Sequence, residues 1–512
     1  MFVAGGGYYV GNAMQNTAAS WLVLERSGSS VVTALVQTAA FAPMFLFSLP
    51  AGVLADTADR RRLMLAVQAV YGGSALLLAL LELTGALGPQ RLLWLTFVLG
   101  TCVAMQSPSW NSAASETVET RDIPHAVTLF SMAYNGARVL GPLLAGLMLS
   151  AFGAGYVFFV AALAAMGMSY ATWNWPPAPP AKSRLPAERL WAGTALALRY
   201  AWHSPATSAQ LAHTIAFCMI GSAVWALLPL IAKQRLGLDA SGFGMLMACL
   251  GGGAIAAGLL LGEVRSRVEL APLAATSKAL FALAMLAVAF SAQLLLVCLA
   301  LAVGGMAWMA MLATLNAATQ TSVPLWIRAR ATAMHNASSL GSFALGSLVW
   351  GALADLASLP ASLCAAATCL LLSVALQRHF PLRMGTDSET TIAQGNSPVQ
   401  VADEPDFEAG PVAVEFIYVV NPSDAKPFLE TVQPLADFRR RNGATFWRIY
   451  RDLGQPGRYV ERFIVTSWGD YLRQRERQTL AIQQLEAHAR SFQVPGLPVV
   501  TRHYLAERAA WR

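Results

Sequence analysis

The chain has 512 residues, of which 56% are hydrophobic and only 12% charged, with a net charge of +7. Soluble globular chains carry about 25% charged residues, so a water-solvated fold is excluded for most of this length and lipid is the expected solvent. The deficit is uneven: residues 1–378 are nearly continuous apolar runs, whereas 379–512 read as ordinary soluble sequence.

The chain enters an apolar stretch at Met1-Phe2-Val3 without a basic n-region or cleavage site, so the first run reads as a retained span rather than a signal peptide. A bilayer-crossing helix needs roughly 20 apolar residues. Such runs fall near 3–24, 31–55, 63–83, 92–112, 125–150 and 154–175, and again near 206–232, 242–262, 270–290, 293–316, 329–354 and 359–378. With the N-terminus inside, the inner loops hold Arg60, Arg61, Arg62, Arg121, Lys182, Arg184, Arg189, Arg199, Arg265, Arg267, Arg328, Arg330, Arg378 and Arg383. The outer loops then hold only Arg26, Arg91, Lys233 and Arg235. This positive-inside bias predicts cytoplasmic termini and a multi-pass protein of the bacterial-type inner (plasma) membrane. Residues 176–205 interrupt the pattern: a proline-rich opening is followed by alternating apolar and basic residues around Trp191, Leu198, Arg199 and Trp202, which predicts an amphipathic helix on the inner leaflet. All six cysteines lie in apolar runs, which argues against a disulfide framework or a zinc site.

The two sets of runs repeat. A shift of 205 residues places Asn111 on Asn316, Gly136 on Gly341, Gly141 on Gly346 and Gly146 on Gly351. Shifts of 204 and 206 place Trp21 on Trp225 and Gly52 on Gly258. Three glycines in one five-residue period point to duplicated six-helix halves with a binding site between them.

The loop after the second run reads Gly52-Val53-Leu54-Ala55-Asp56-Thr57-Ala58-Asp59-Arg60-Arg61-Arg62. A positive-inside loop explains the arginines but not Gly52 or Asp56; a helix approach at Gly52 with a charge relay through Asp56, Asp59, Arg60 and Arg61 explains both. The fifth run holds Asn135-Gly136-Ala137-Arg138 and Gly141-Pro142-Leu143-Leu144-Ala145-Gly146, where Pro142 bends a helix and the glycines leave a bare surface. These residues resemble the major facilitator superfamily, whose signature loop has the form G-x-L-A-D-x-x-G-R-[RK]; Asp59 stands where its second glycine would be. The Gly141-Pro142 segment resembles the fifth-helix motif of its exporters. Pro108-Ser109-Trp110, Asp122-Ile123-Pro124 and Asn135-x-x-Arg138 narrow the likeness to enterobactin-type exporters and transmembrane secretion effectors over residues 1–378. That resemblance implies proton-coupled export of a small molecule such as a siderophore, drug or metabolite by alternating access. Gly52, Asp56, Asp59, Arg60, Arg61, Gly136, Gly141, Pro142 and Gly146 are then the gating residues.

Arg138 lies mid-span, where an ionised group costs at least ~2.5–3.5 kcal/mol and must face a partner or a wet cavity. The cavity is expected to draw on Arg138 and on Asn12, Gln15, Asn16, Gln37, Gln106, Asn111, Asn135, Asn316, Gln320, His335 and Asn336. Each amide has the alternative of bonding between helices. No carboxylate lies mid-span; His213 and His335 are the remaining titratable groups there, and Lys278 is expected to snorkel to the inner end.

Residues 384–411 hold six acids and no Lys or Arg, and 379–411 reads as an acidic flexible linker. Then come a strand at Val412–Val420, a helix over 424–442, strands near 444–452 and 458–468, a helix over 469–491 and a strand over 498–505. The order βαββαβ predicts a ferredoxin-like domain. It resembles dimeric α/β-barrel domains related to antibiotic-biosynthesis monooxygenases, which implies homodimerisation or ligand sensing. Trp447, Trp468, His488 and His503 are its candidate pocket residues, yet no metal spacing, nucleotide loop or nucleophile arrangement accompanies them. Its mild basicity suits the inner leaflet rather than nucleic acid.

The expected architecture is thus an all-α membrane protein of twelve transmembrane helices in two pseudo-symmetric halves, plus a C-terminal α+β ferredoxin-like domain. The domain limits are 1–175, 176–205, 206–378, 379–411 and 412–508. The expected partners are a small-molecule substrate and the lipid bilayer, with homodimerisation through the C-terminal domain; no cofactor, metal or enzyme activity is expected. A membrane-tethered sensor and a cofactor-free oxygenase are the alternative readings.

Overall fold

The computed structural model describes residues 2–57, 59–116, 123–175, 190–393, 399 and 401–507, with side chains in 48–57, 108–135 and 190–195 described only in part. The chain divides into two compact units, one of Met1–Arg184, Leu211–Leu315 and His335–Pro381, the other of Leu185–Gln210, Asn316–Met334 and Leu382–Arg512.

The helices in chain order are α1 Phe2–Ser27, α2 Ser30–Thr57, α3 Arg60–Leu83, α4 Pro89–Glu116, α5 Ile123–Phe152, α6 Ala154–Trp173, α7 Leu190–Trp202, α8 Pro205–Leu230, α9 Ala240–Arg267, α10 Leu270–Phe290, α11 Leu294–Thr321, α12 Leu325–Leu356 and α13 Leu359–Leu372. Among the described residues nine segments are long and apolar enough to cross a membrane. Their start signals are local: Asp239 accepts from the Gly242 amide at the head of α9, and Ser358 caps α13. Asp59, the residue that departs from the signature loop, caps α3 by accepting from the Arg62 amide.

The first unit is turned inside out relative to a soluble protein. Leu80, Trp94, Leu147, Tyr170, Leu259 and Leu295 are exposed, while Gln15, Gln37, Gln68, Ser222 and Ser347 are buried. Buried amides and hydroxyls pair between helices, as Gln68 Nε2 does with Thr172 Oγ1 at 3.2 Å. That is the distribution lipid demands, since the outer face has no water to satisfy polar groups.

The repeated glycines make matched contacts. A Cβ on Gly141 of α5 would meet Ala13 of α1, and one on Gly346 of α12 would meet the Met219 carbonyl of α8. One on Gly146 of α5 would meet Ala240 and Gly244 of α9; one on Gly351 of α12 would meet Ser30 and Ala34 of α2. Two seams, α5 on α9 and α12 on α2, therefore join the repeats by backbone-to-backbone approach. Gly136 does not share this role, because a Cβ there meets nothing within 4 Å.

The second unit holds a sheet of β1 Val412–Val419, β2 Phe446–Arg451, β3 Arg458–Val465 and β4 Val500–Leu505. Its order is β2-β3-β1-β4 with every pair antiparallel, and Val412 lies opposite both Val465 and Leu505. Val414, Tyr418, Trp447 and Phe463 pack with Phe428, Leu435 and Ile482 from the intervening helices. Each helix expected there is two: Ala425–Val432 and Leu435–Arg441 part at Pro434, which supplies no amide, and Trp468–Glu476 and Leu480–Ser491 part at Thr479. The segment expected to be a flexible linker is pinned where it is described. The Gly385 amide donates to Ser322 Oγ at 2.8 Å, Arg383 pairs with Glu389 at 3.0 Å, Ile392 bridges Thr479, and the Gly469 amide donates to the Phe407 carbonyl. Of its acids, Glu389 is held by Arg383 and the Thr386 amide, while Asp403, Glu404 and Asp406 are exposed.

In the same unit α7 is not simply a surface helix. Leu198 and Trp202 are exposed, but Tyr200 is buried against Val323, Ile327 and Ala331, with Arg441 5.0 Å above its ring. His203 Nδ1 lies 3.2 Å from Asp437, and Arg477 sits over Trp326.

Candidate binding cavity

The first unit encloses a cavity of about 220 Å³. One wall is polar: Asn12, Gln15, Asn16 and Ser20 from α1, Gln37 from α2, Thr96 from α4 and Arg138 from α5. A further wall is aromatic, with Trp225 of α8, Phe243 of α9, Trp308 of α11 and Phe343 of α12, the last meeting Phe41 of α2 at 5.0 Å. Trp225 lies at the centre of this wall, 4.3 Å from the Trp308 ring and 5.6 Å from Phe343.

Several polar groups already have partners. Gln37 Nε2 donates to Ser20 Oγ at 3.2 Å, Gln15 Nε2 to Thr96 Oγ1 at 3.5 Å, and Tyr71 Oη to Asn12 Oδ1 at 3.3 Å. Two groups do not. Asn16 Oδ1 is buried with no donor. The Arg138 guanidinium is exposed to the cavity, and no described residue gives it a hydrogen bond or ion pair. An acceptor from an amide, a fixed cation and an indole wall together suit an amphipathic molecule with an aromatic face and an anionic or carbonyl group.

Of the sequence candidates, the cavity brings together Asn12, Gln15, Asn16, Gln37 and Arg138. The side chains of Asp56, Asn111 and Asn135 lie outside the described residues, as does that of Trp191. Gln106 is buried away from the cavity, and His335 is buried with Nδ1 3.3 Å from Thr214 Oγ1. Asn316 and Gln320 belong to the second unit and bond to each other at 3.0 Å, and Asn336 is exposed. His213 and Lys278 bond to each other at 3.0 Å; Lys278 is 1% exposed and does not snorkel. Arg61 donates to the Trp173 carbonyl at the end of α6 and lies over its ring, so its described contacts stay within the first repeat. Sequence reasoning missed the aromatic wall, although the alignment of Trp21 with Trp225 marked one member.

A further contact joins the repeats. Asp355, in the last turn of α12, accepts from Ser29 Oγ and the Ser30 amide, both at 2.8 Å, and from the Val31 amide at 3.1 Å. A carboxylate from one repeat thus caps the first turn of α2 in the other, where the helix dipole favours negative charge. Asp355→Ala removes a cap contribution of about 1 kcal/mol, so forms with this seam open should gain roughly fivefold in population. Spin labels at Val32 and Ala352 check this: a distance distribution unchanged from wild type refutes the latch.

In the second unit only two of the four candidate pocket residues meet, the Trp468 and His503 rings lying edge to face at 6.0 Å. Trp447 and Trp468 are core, His488 is exposed against Phe492, and His503 Nε2 bonds Tyr471 Oη at 2.7 Å. Burial, and then the Arg475 charge, push the His503 imidazole below its usual range. An open cavity of about 420 Å³ in this unit is lined by Arg490, Gln493 and Thr501 among others, and by none of the four. The ionic group nearest the domain's centre is structural. Arg439 lies over the Phe416 and Phe463 rings, donates to Glu461 at 3.0 Å and pairs with Glu486 at 2.7 Å, while Trp447 Nε1 donates to the same Glu461 oxygen. Burial works against the charged guanidinium, but the two carboxylates outweigh it and hold its pKa above the usual value. Arg439→Met strands both acids and should cost the domain about 3–5 kcal/mol. Hydrogen exchange across β1 and β3 in the full-length protein should rise accordingly; unchanged protection refutes the core role.

The family model described as "Transmembrane secretion effector" matches residues 3–510, a stretch that includes the C-terminal unit. The multidrug efflux pump Tap of Mycolicibacterium fortuitum is 25% identical over 383 residues, covering 71% of this chain and 90% of that protein. Among solved structures, an inward-facing, occupied bacterial homologue of the human lysosomal transporter Spinster superposes with a TM-score of 0.60 at 15% identity, over 74% of this chain and 95% of that one. The nucleoside transporter NupG superposes with a TM-score of 0.60 at 13% identity, over 74% and 98%. The inward-open xylose transporter XylE from E. coli gives 0.57 at 13% identity, over 74% and 95%. At these identities the structures speak for the fold alone.

Proposed function

The chain belongs to the major facilitator family of transmembrane secretion effectors, a multi-pass membrane transporter family, and from that premise we propose that it exports amphipathic small molecules by alternating access, driven by protons. The observation that carries this reading is the cavity of about 220 Å³ lined by Arg138, which no described residue pairs, and by Trp225, Trp308 and Phe343. Efflux-pump ancestry shared with Tap supports the direction. In this reading twelve spans form two six-helix halves in the plasma membrane, both termini are cytoplasmic, and substrate binds between the halves. Export then requires the α5–α9 and α2–α12 seams to open as the opposite ends close. The loop around Gly52, Asp56, Asp59, Arg60 and Arg61 would form the inner gate.

For the C-terminal unit we propose a ferredoxin-like sandwich acting as a dimerisation or sensing module. Exposed Tyr450, Val500 and Tyr504 on its sheet favour a second copy as the partner. The test of transport is accumulation of a compound panel in an efflux-deficient host, with and without a protonophore. Lower accumulation that the protonophore abolishes is the expected result; accumulation equal to the empty vector for every compound refutes export. Deletion of residues 385–512 should leave a folded carrier with altered oligomeric state, and oligomeric state identical to full length refutes the dimer role.

A further inference from the structure

Deep in the second repeat lies a basic side chain with no acid beside it among the described residues. Lys278 of α10 is 1% exposed, and its Nζ donates to His213 Nδ1 at 3.0 Å and to the Ser373 carbonyl at 2.9 Å. His213 of α8 is 2% exposed, and its Nε2 lies 3.1 Å from the Phe380 carbonyl. A carbonyl can only accept, so Nε2 carries the ring proton and Nδ1 presents a lone pair to Lys278. The imidazole is therefore neutral.

Counting donors shows what this arrangement is matched to. An ammonium has three N–H groups and an amine has two. The described residues offer Lys278 two acceptors, both neutral. The uncharged amine is satisfied in full, whereas the ammonium has one N–H left over and an unpaired charge in a buried site. Among the described residues the surrounding elements add no counter-charge. From α12 comes His335, held by Thr214; from the turn after α13 come backbone carbonyls, with Arg378 and His379 exposed. Packing alone does not call for a charge at this place. In the first repeat the equivalent crossings are made by neutral groups: Asn12 with Tyr71 between α1 and α3, and Gln68 with Thr172 between α3 and α6.

We infer that Lys278 and His213 form the proton-binding site through which this carrier couples to the proton gradient, an inference that rests on the export reading above. In the unloading step one Nζ–H bond breaks heterolytically, the proton passes to water and the electron pair stays on Nζ. Both hydrogen bonds of the pair survive the step. In the loading step water returns a proton, and the third N–H takes a water molecule as its acceptor. Loading is thus tied to conformations that admit water among α8, α10 and the end of α13, and unloading to the closing step, in which the departing water carries the proton away and leaves the amine enclosed. Conformation and protonation are linked through hydration of one donor.

The test uses the full-length chain, with fluorescein, an aromatic anion loaded as its diacetate, as the transported probe in an efflux-deficient host and purified protein for proton counting. Lys278→Met removes the base and Lys278→Arg fixes the charge. Both should lower concentrative export by about tenfold or more while leaving downhill equilibration of the dye near the wild-type rate. Titrated from about pH 6 to about pH 12, purified Lys278→Met should release one proton fewer per chain than wild type. His213→Gln, which keeps an acceptor for the amine, should fold and show weakened proton dependence. A wild type that exports no dye counts against the carrier reading, and the proton count still decides the site. Wild-type protonophore sensitivity in both Lys278 variants, or an unchanged proton count, overturns the inference. Loss of folded protein in both Lys278→Met and His213→Gln assigns the pair to packing and overturns it as well.

Discussion

Arg138→Ala is expected to lower export by roughly 10–150-fold while leaving the amount of protein in the membrane unchanged. The two halves of this expectation have separate causes. Among the described residues nothing bonds the guanidinium, so its removal strands no partner, and deleting a mid-span charge relieves an insertion cost of ~2.5–3.5 kcal/mol. A hydrogen bond from a charged group to substrate contributes about 1.5–3 kcal/mol, which corresponds to roughly 10–150-fold in transport efficiency. Arg138→Lys keeps the charge but loses the planar fork, and should retain part of the activity. The measurement is initial efflux rate against substrate concentration, normalised to membrane-inserted protein. Wild-type efflux in Arg138→Ala removes this residue from the site, and poor insertion would show it to be structural instead.

Gly146→Leu should block transport by a different route. A Cβ at Gly146 falls 2.7 Å from the Ala240 carbonyl oxygen and 2.9 Å from Gly244 Cα, and these are backbone atoms that cannot rotate away. Overpacking of this kind costs about 1–3 kcal/mol, so the closed α5–α9 seam should lose population by roughly 5–150-fold. Gly136→Ala is the matched control on the same helix. Its Cβ meets nothing within 4 Å, and the exchange should be neutral or stabilise α5 by up to about 1 kcal/mol. Crosslinking between α5 and α9 together with efflux separates the two variants. Equal behaviour would mean that the seam is not the moving part.

The contrast between these glycines shows what could be read in advance. Glycines that recur at one shift in both repeats proved to be close-approach points at Gly141, Gly146, Gly346 and Gly351, because duplication preserves crossings even after side chains diverge. Gly136 shares the spacing but faces open space, and spacing alone cannot report what lies opposite. Arg138 was legible because its cost in lipid has few resolutions. The uncharged polar residues were not: the amides Gln106, Asn316, Gln320 and Asn336 and the imidazole of His335 are as polar in sequence as Asn12 and Gln37, yet the choice between cavity, neighbouring helix and surface depends on helix rotation. Membrane helices blur that rotation, since apolar residues occupy both the lipid-facing and the packed sides. For the same reason Trp225 and Trp308 could not be told from aromatics facing lipid. Asp59 was a departure from the signature loop, and its capping bond to Arg62 explains it as a helix start.

Asp355 has one more consequence. The first turn of α2 has no complete set of acceptors of its own; it borrows a carboxylate from α12 for Ser29, Ser30 and Val31. When that seam parts, all three donors and the carboxylate must be taken up by solvent, so parting the repeats is a hydration reaction as much as a hinge motion. Its equilibrium therefore depends on water activity. An impermeant polyol on the Asp355 side should hold the carrier shut and slow its turnover, and removing the polyol should restore it, with no change to any residue.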